Sequence, residues 1–263
     1  MPNFLKKIAI VISAILVLTG CVQSDVKINF DSQTHGEIVQ IIKLGEQVTS
    51  FSNSTIQGYF NTIDRRARRL QGRTKKVSNE EIKVIIPFNN GKELSQKFNA
   101  FFNPIAGNKT KGDIQLENDL PQWKSHLKVK QNNFVFFLRN RVNLEVDLRE
   151  LSVRSPNDNV LISPGNLLDL HLSLNTPWGA KNISPDAKNA LPLEILPEGK
   201  ALIWQLKPGE INHLEAVFWL PSPVGIGALV IILFVTFGWY VKYQLFPRFG
   251  IGKKRQKNVQ TQA

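Results

Sequence analysis

The side chains in this sequence that could do chemistry are scattered rather than grouped. Four histidines, His35, His126, His171 and His213, stand far apart, with no HxxxH or HExxH spacing to bring two imidazoles to one metal ion. No GxSxG, Walker or GxGxxG pattern supplies a nucleophile turn or a phosphate cradle. Glu145 and Asp147 alternate along one expected strand and so share a face. Arg149 follows two residues later, which favours a structural ion pair over acid–base work. No catalytic residue, metal or cofactor is therefore expected. The densest charge cluster is Arg65, Arg66, Arg68 and Arg69, continued by Arg73, Lys75 and Lys76. Guanidinium donors match phosphate and carboxylate oxygens, so Arg65, Arg66, Arg68, Arg69 and Arg73 are the expected anion or headgroup binders. A solvated helix face is the competing reading.

The single cysteine has a more specific setting. Lys6 and Lys7 precede an 11-residue apolar run, Ile8 to Leu18, which is followed by Thr19, Gly20 and Cys21. A basic start, a short apolar centre and small residues are the layout of a secretory signal. The run is about half the ~20 residues that a spanning helix needs, so cleavage is expected rather than permanent anchoring. Leu18-Thr19-Gly20-Cys21 resembles the lipobox of bacterial lipoproteins. That resemblance implies a signal peptide at 1–20 and a diacylglyceryl thioether on Cys21. A lone cysteine has no partner within the chain for a disulfide, which fits a modified thiol. Acyl chains contribute ~0.8 kcal/mol per buried methylene, and stable attachment takes more than one of them.

Charge distribution supplies the topology. The net charge is +12, yet all 21 acidic residues lie between Asp25 and Glu215; that region also holds 25 of the 33 basic residues and is only +4. Most of the excess flanks apolar segments, where it sets orientation, and a DNA-binding role, which needs a basic face on the folded domain, is excluded as an expectation. Val224 to Val241 is an uncharged run of 18 residues with Thr236 as its one ordinary polar side chain. Trp219, Trp239, Tyr240 and Tyr243 stand near its ends, as interfacial aromatics do. Six basic and no acidic residues follow it, against only Lys207 in the twenty before it. The expected order is a transmembrane helix at 224–241 and a cytoplasmic basic tail at 242–263, with the region 21–220 on the exported side. The expected location is the cytoplasmic membrane or an internal equivalent, crossed once. Fixed at both ends, the domain is expected to work close to the bilayer.

Periodicity gives the coarse fold. Val26, Ile28 and Phe30 alternate, a polar turn runs from Asp31 to Gly36, and Glu37 to Leu44 completes a hairpin. From Ser54 to Leu70, Ile56, Tyr59, Phe60, Ile63, Ala67 and Leu70 form one helical stripe, with Gly72 as a stop. A strand over Ile82 to Phe88 leads into a shorter helix through Leu94, Phe98, Phe101 and Phe102. Strands are then expected over Leu127 to Val129, Phe134 to Leu138, Val142 to Leu148, Leu168 to Leu174, Ala201 to Leu206 and Leu214 to Leu220. The fold class is α+β: a largely antiparallel sheet with two helices in the first half, followed by a single transmembrane helix. Phe98, Phe101, Phe102, Phe134, Phe136 and Phe137 are read as ordinary core, with the lining of a lipid pocket as the alternative.

The lipobox, HGEIVQ at His35 to Gln40, IPF at Ile86 to Phe88, VDLR at Val146 to Arg149 and the terminal apolar helix together resemble the LppM-like family of bacterial lipoproteins. The resemblance implies an exported α+β domain that handles lipids or envelope components, and it carries no catalytic motif. The expected function is a non-catalytic envelope module whose partners are the membrane, a lipid or glycolipid, or another membrane protein. A structural or assembly factor for a membrane complex is the alternative, and an envelope hydrolase a third. Cys21→Ser is expected to abolish incorporation of radiolabelled fatty acid and to leave an unprocessed, heavier chain on a gel; normal labelling of this variant would refute the lipobox reading.

Overall fold

The computed structural model describes residues 22–45, 53–103, 124–149, 168–183, 191–196 and 200–245. Leu18, Thr19, Gly20 and Cys21 lie outside the described residues. The alternation that begins at Val26 produces β1 (Val22–Ser32) and β2 (His35–Leu44), an antiparallel hairpin that pairs Ile28 with Ile38. α1 (Asn53–Arg69) buries Ile56, Phe60, Ile63 and Ala67, the stripe expected from three- and four-residue steps. It ends in a Schellman-type turn: Gly72 N donates to Ala67 O at 2.8 Å and Gln71 N to Arg68 O at 3.1 Å. Gln71 itself takes the left-handed conformation, with φ 62°, so the turn residue is one position before the glycine that the sequence marks.

After α1 come β3 (Arg73–Lys76), β4 (Glu81–Phe88), α2 (Gly91–Phe102), β5 (Lys124–Phe134) and β6 (Phe137–Asp147). They are followed by β7 (Leu168–Asn175), β8 (Ala180–Asn182), β9 (Leu193–Ile195), β10 (Ala201–Gln205), β11 (Ile211–Pro221) and α3 (Pro223–Tyr240), which continues as a π-helical turn over Val241–Leu245. Two sheets result, of order β3-β4-β2-β1-β7-β10-β9 and β5-β6-β11-β8. β1 and β7 pair in parallel, and the other described pairs are antiparallel. The α+β reading holds, with two helices in the first half and an apolar helix at the end.

One core serves both sheets. The Phe30 ring on β1 lies 5.0 Å from Phe88 of its own sheet and 4.7 Å from Phe218 of the other, centroid to centroid. Phe98, Phe101 and Phe102 of α2 join this core. The other phenylalanines separate from them. Phe134 to Leu138 is no independent strand, because β5 and β6 are joined by a tight turn at Val135-Phe136 that pairs Phe134 with Phe137. Phe134, Val135, Phe136 and Phe137 are exposed, as the tip of a hairpin rather than as core, and Leu138 is the first of the run to be buried.

α2 does more than fill the core. Its Asn99 side chain receives the Leu127 N–H at 2.7 Å and donates to the Leu127 carbonyl at 2.9 Å. One turn on, Asn103 repeats the pattern with the backbone of Ser125, while one turn back Ser95 Oγ accepts from Val129 N at 3.1 Å. At the helix start Gly91 N donates to Gln131 Oε1 at 3.0 Å. Four helical residues rise about 6 Å and two strand residues about 6.7 Å, so the two elements stay in step over three repeats. The polar stripe thus pairs the edge of β5 much as another strand would. Gly91 allows the approach, since a Cβ there would lie 2.6 Å from Val129 Cγ1.

The register also orients the molecule. Val22 pairs with Leu44 and Leu168, and Leu206 N bonds Leu170 O just before β11 begins. At the other end lie Phe30, Asn175 and Phe218, the last of these three residues from the end of β11. Hence β1 starts at the end of the domain remote from α3, separated by about 35 Å at ~3.3 Å per strand residue. The two expected attachment points are therefore not neighbours.

α3 begins with Ser222 as its cap and Pro223 in its first turn, and of its side-chain positions only Gly225 is buried. Together with the π-helical turn it gives a 22-residue segment, Pro223–Gln244, of mean hydropathy 2.3. At 1.5 Å per residue this is about 33 Å, enough to cross a hydrocarbon core of about 30 Å. Its apolar side chains are exposed, so it is not a helix of the domain's core.

Asn99→Ala leaves two backbone groups of Leu127 without partners and is expected to cost about 2–4 kcal/mol, whereas Gln96→Ala, exposed on the same helix, should cost within about 0.5 kcal/mol. Denaturant titration of the full chain in detergent measures both, and equal effects would contradict the edge-pairing role of Asn99.

Candidate functional site

The arginine cluster does not converge on one point. Arg68 is tied to Asp64 at 2.7 Å, and Arg65 Nη2 donates to Thr62 Oγ1 at 3.2 Å. Arg66 acts on Tyr59, whose phenol is pushed up to about 12 by burial while the Arg66 charge pulls it down. Arg69 lines a shallow cleft with Gln71, Lys92 and Lys97 between the end of α1 and the start of α2. Arg73 is exposed on β3, an edge strand whose short, basic sequence suits an unpaired rim. Thr74 on the same strand donates to Asp64, and this hydrogen bond, with Arg68, holds the Asp64 carboxyl below the ordinary carboxylate range.

The histidines and carboxylates are likewise distributed. His171 Nδ1 lies 3.3 Å from Asp25 and 3.6 Å from Asp169, and His213 is 3.7 Å from Glu145. His35 stands 3.7 Å from Asp31, both exposed. Arg149 grips Asp147 with two nitrogens at 2.9 and 2.7 Å, and this lowers the Asp147 carboxyl to about 2. The structural ion pair read from the sequence is therefore present. Among the described residues no three His, Cys, Asp or Glu side chains are placed to hold a metal ion.

A different surface is ordered in a way that the arginine cluster is not. On the outer face of the four-stranded sheet the register stacks three rungs away from α3. The first is Phe134, Phe137 and Pro221; the second is Asn132, Arg139 and Trp219; the third is Lys130, Arg141, Val217 and Lys181. Strand alternation puts these side chains on one face, and Lys130, Arg141 and Lys181 are exposed. Arg139 lies over the Trp219 ring at 5.9 Å, a cation–π contact that keeps the guanidinium beside the aromatic rung. Like charges directly across a sheet weaken it. Glu215, buried between these strands, pairs with Arg141 and raises the pKa of its guanidinium, so that one cation of the third rung is answered from within. An external anion would answer Lys130 and Lys181.

The sheet and α3 are joined closely at the aromatic end. Ser222 N donates to Phe136 O at 2.8 Å, and a Cβ on Gly225 would lie 1.9 Å from Val135 O. The hairpin tip therefore rests against the first turn of the apolar helix, at its depth. Phe134 and Trp219 rings are 5.7 Å apart, and Phe137 and Trp178 are 5.8 Å apart. Sequence reasoning missed this surface. Its signal was the two-residue spacing Lys128-x-Lys130 and Arg139-x-Arg141 on either side of an aromatic run.

The family model for a protein of unknown function, DUF3153, matches residues 26–246. The chain belongs to the DUF3153 family. The match takes in both sheets and the apolar helix, and so makes them one family unit. No curated protein matches this DUF3153 chain in sequence. Among solved structures, the folded domain of Mycobacterium tuberculosis LppM, determined by NMR, is similar over 78% of this chain and 92% of that one, at 10% identity and a TM-score of 0.39.

Two carboxyls besides Asp147 give this DUF3153 domain an acid limit. Glu93 is held below its ordinary value first by Lys97 at 2.8 Å and then by Asn89, as Asp64 is by Thr74 and Arg68. Because their folded pKa values are depressed, their stabilisation is complete above the ordinary values of 4.5 and 3.8 and is lost as pH falls below them. Thermal midpoints in detergent are expected to be level near neutrality and to drop below about pH 4.5, with a shallower drop for Glu93→Gln. An acid limb unchanged in that variant would remove Glu93 from the account.

Proposed function

We propose that this DUF3153 chain is a non-catalytic, membrane-anchored envelope module that engages anionic lipid or glycolipid headgroups at the surface of the membrane crossed by α3. The observation that carries the reading is the third rung, where Lys130 and Lys181 stand exposed beside the Arg141–Glu215 pair on a face that runs through an aromatic rung directly into an apolar helix. Headgroup phosphates lie just outside the hydrocarbon layer, where cations on the second and third rungs from α3 would meet them. Arg69 and Lys92, at the same end of the domain, add to the field. Within the same proposal, residues 1–20 are a signal peptide, Cys21 is lipidated, the domain lies on the exported side and the basic tail is cytoplasmic. The charge asymmetry about 224–241 supports that orientation.

A second reading, a structural or assembly factor for a membrane complex, draws on β9. This short strand forms one edge of the seven-stranded sheet and leaves Ile195 and Leu196 exposed, a place where another chain could add a strand.

The test is native mass spectrometry of the full chain released from nanodiscs of mixed phosphatidylcholine and phosphatidylglycerol. Wild type is expected to retain phosphatidylglycerol in preference to phosphatidylcholine, and the triple variant Lys130→Glu, Arg139→Glu, Lys181→Glu to lose that preference. Equal retention of both lipids by wild type would end the headgroup reading, and recovery of a stable complex through β9 would favour assembly.

A further inference from the structure

The tip of the β5–β6 hairpin is an unusual place for apolar side chains. Val135 is 69% exposed, and Phe134, Phe136 and Phe137 are exposed beside it. A turn between two antiparallel strands ordinarily favours small polar residues, and here it is Val-Phe between phenylalanines. Trp178, on the turn before β8, and Trp219, on β11, flank the tip, and both are exposed. The sheet does not need these side chains for its core, which is complete with Leu138, Val142, Leu144, Phe218 and Leu220.

Their depth relative to α3 is set by backbone contacts. Phe136 O accepts from Ser222 N, the cap of α3, and Val135 O occupies the space that a side chain on Gly225 would take. Gly225 is the third residue of the helix, whereas Gly227 and Gly238 have open space where a Cβ would stand. The helix is thus relieved of a side chain at the one described glycine where the tip presses on it. Where α3 enters a bilayer, Val135 and Phe136 are at the same level.

We infer that the hairpin tip, with Trp178 and Trp219, inserts into the interfacial layer of the bilayer beside the first turn of α3, as a second membrane contact built from strands. Aromatic rings favour that layer, and Arg139 and the Lys130 rung lie on the side where headgroups would be. The inference rests on α3 crossing the membrane and does not depend on preference for an anionic headgroup. A single helix leaves a domain free to swivel and tilt. A second contact beside the helix, spread over the β5–β6 tip and the turn before β8, fixes which face looks at the membrane.

The test uses the full chain in phosphatidylcholine vesicles whose acyl chains carry bromine either near the headgroup or deep in the layer. Tryptophan emission is compared between wild type and the double variant Trp178→Phe, Trp219→Phe. The shallow quencher is expected to act strongly on wild type, and the double variant to lose the part of that response that Trp178 and Trp219 supply. Trp239, within α3, remains in both and reports insertion of the helix. Two further variants keep the outcome interpretable. Val135→Asp, at an exposed position that the core does not use, and Gly225→Val, which pushes the tip away, should each reduce shallow quenching with far-ultraviolet circular dichroism unchanged. If shallow quenching is the same in wild type and the double variant while a Trp239→Phe variant shows the loss, α3 spans and the inserted tip is overturned. If no variant shows quenching that depends on Trp239, the spanning helix fails and the tip with it. Dimers in detergent, together with absent shallow quenching, would show that a second copy covers the tip and would also overturn the inference.

Discussion

A buried strand edge cannot be left with open backbone groups, and the way β5 satisfies this requirement organises much of the molecule. Its outer edge is paired by a helix, through Asn99, Asn103, Ser95 and the Gly91 amide. Since α2 also contributes Phe98, Phe101 and Phe102 to the core beneath the seven-stranded sheet, one helix clasps both sheets. Asn140, fully buried on β6, accepts from Gln131 Nε2 while Gln131 Oε1 serves the Gly91 amide, and so carries the same connection into the middle of the smaller sheet. Strand order on that side follows from this: with β5 held by a helix, growth of the sheet proceeds only through β6 to β11, and β11 must end where α3 begins.

Much of this was legible in the residues, because burial leaves a period. The β1–β2 hairpin, the stripe of α1, the strands β4, β7, β10 and β11, and the apolar helix each bury or expose one clear side. The short edges β3, β8 and β9 left no such mark, since three or four residues at a rim hold no alternation worth the name. The edge-pairing stripe of α2 was hidden by a stronger one: Leu94, Phe98 and Phe101 announce a helix, and the amides between them read as an ordinary polar side. Phe134 to Phe137 misled for the opposite reason. Hydrophobicity alone assigns such a run to a core, and only the register of β5 on β6 shows that it turns in the open.

The site was less legible than the fold. Five arginines close in sequence seemed the natural anion-binding group, but helical steps and local partners such as Asp64 and Thr62 spread them out. The ordered cations, Lys130, Arg141 and Lys181, come from three strands, up to 51 residues apart, and are neighbours only through cross-strand pairing. A cluster in sequence is a poor guide to a cluster in space when the intervening element is a helix, and sheets assemble clusters from residues that look isolated.

The start of β1 carries a mechanical consequence. Val22 is already hydrogen-bonded between β2 and β7 at the end of the domain farthest from α3, so no slack chain separates the sheet from residue 21. Should Cys21 bear acyl chains, the domain becomes a strut with a foot at each end, and its length, about 35 Å, becomes the spacing it enforces. Such a strut can hold two facing lipid surfaces at a set distance. It can also lie flat along one, which would require the outermost pairs of β1 to peel away first.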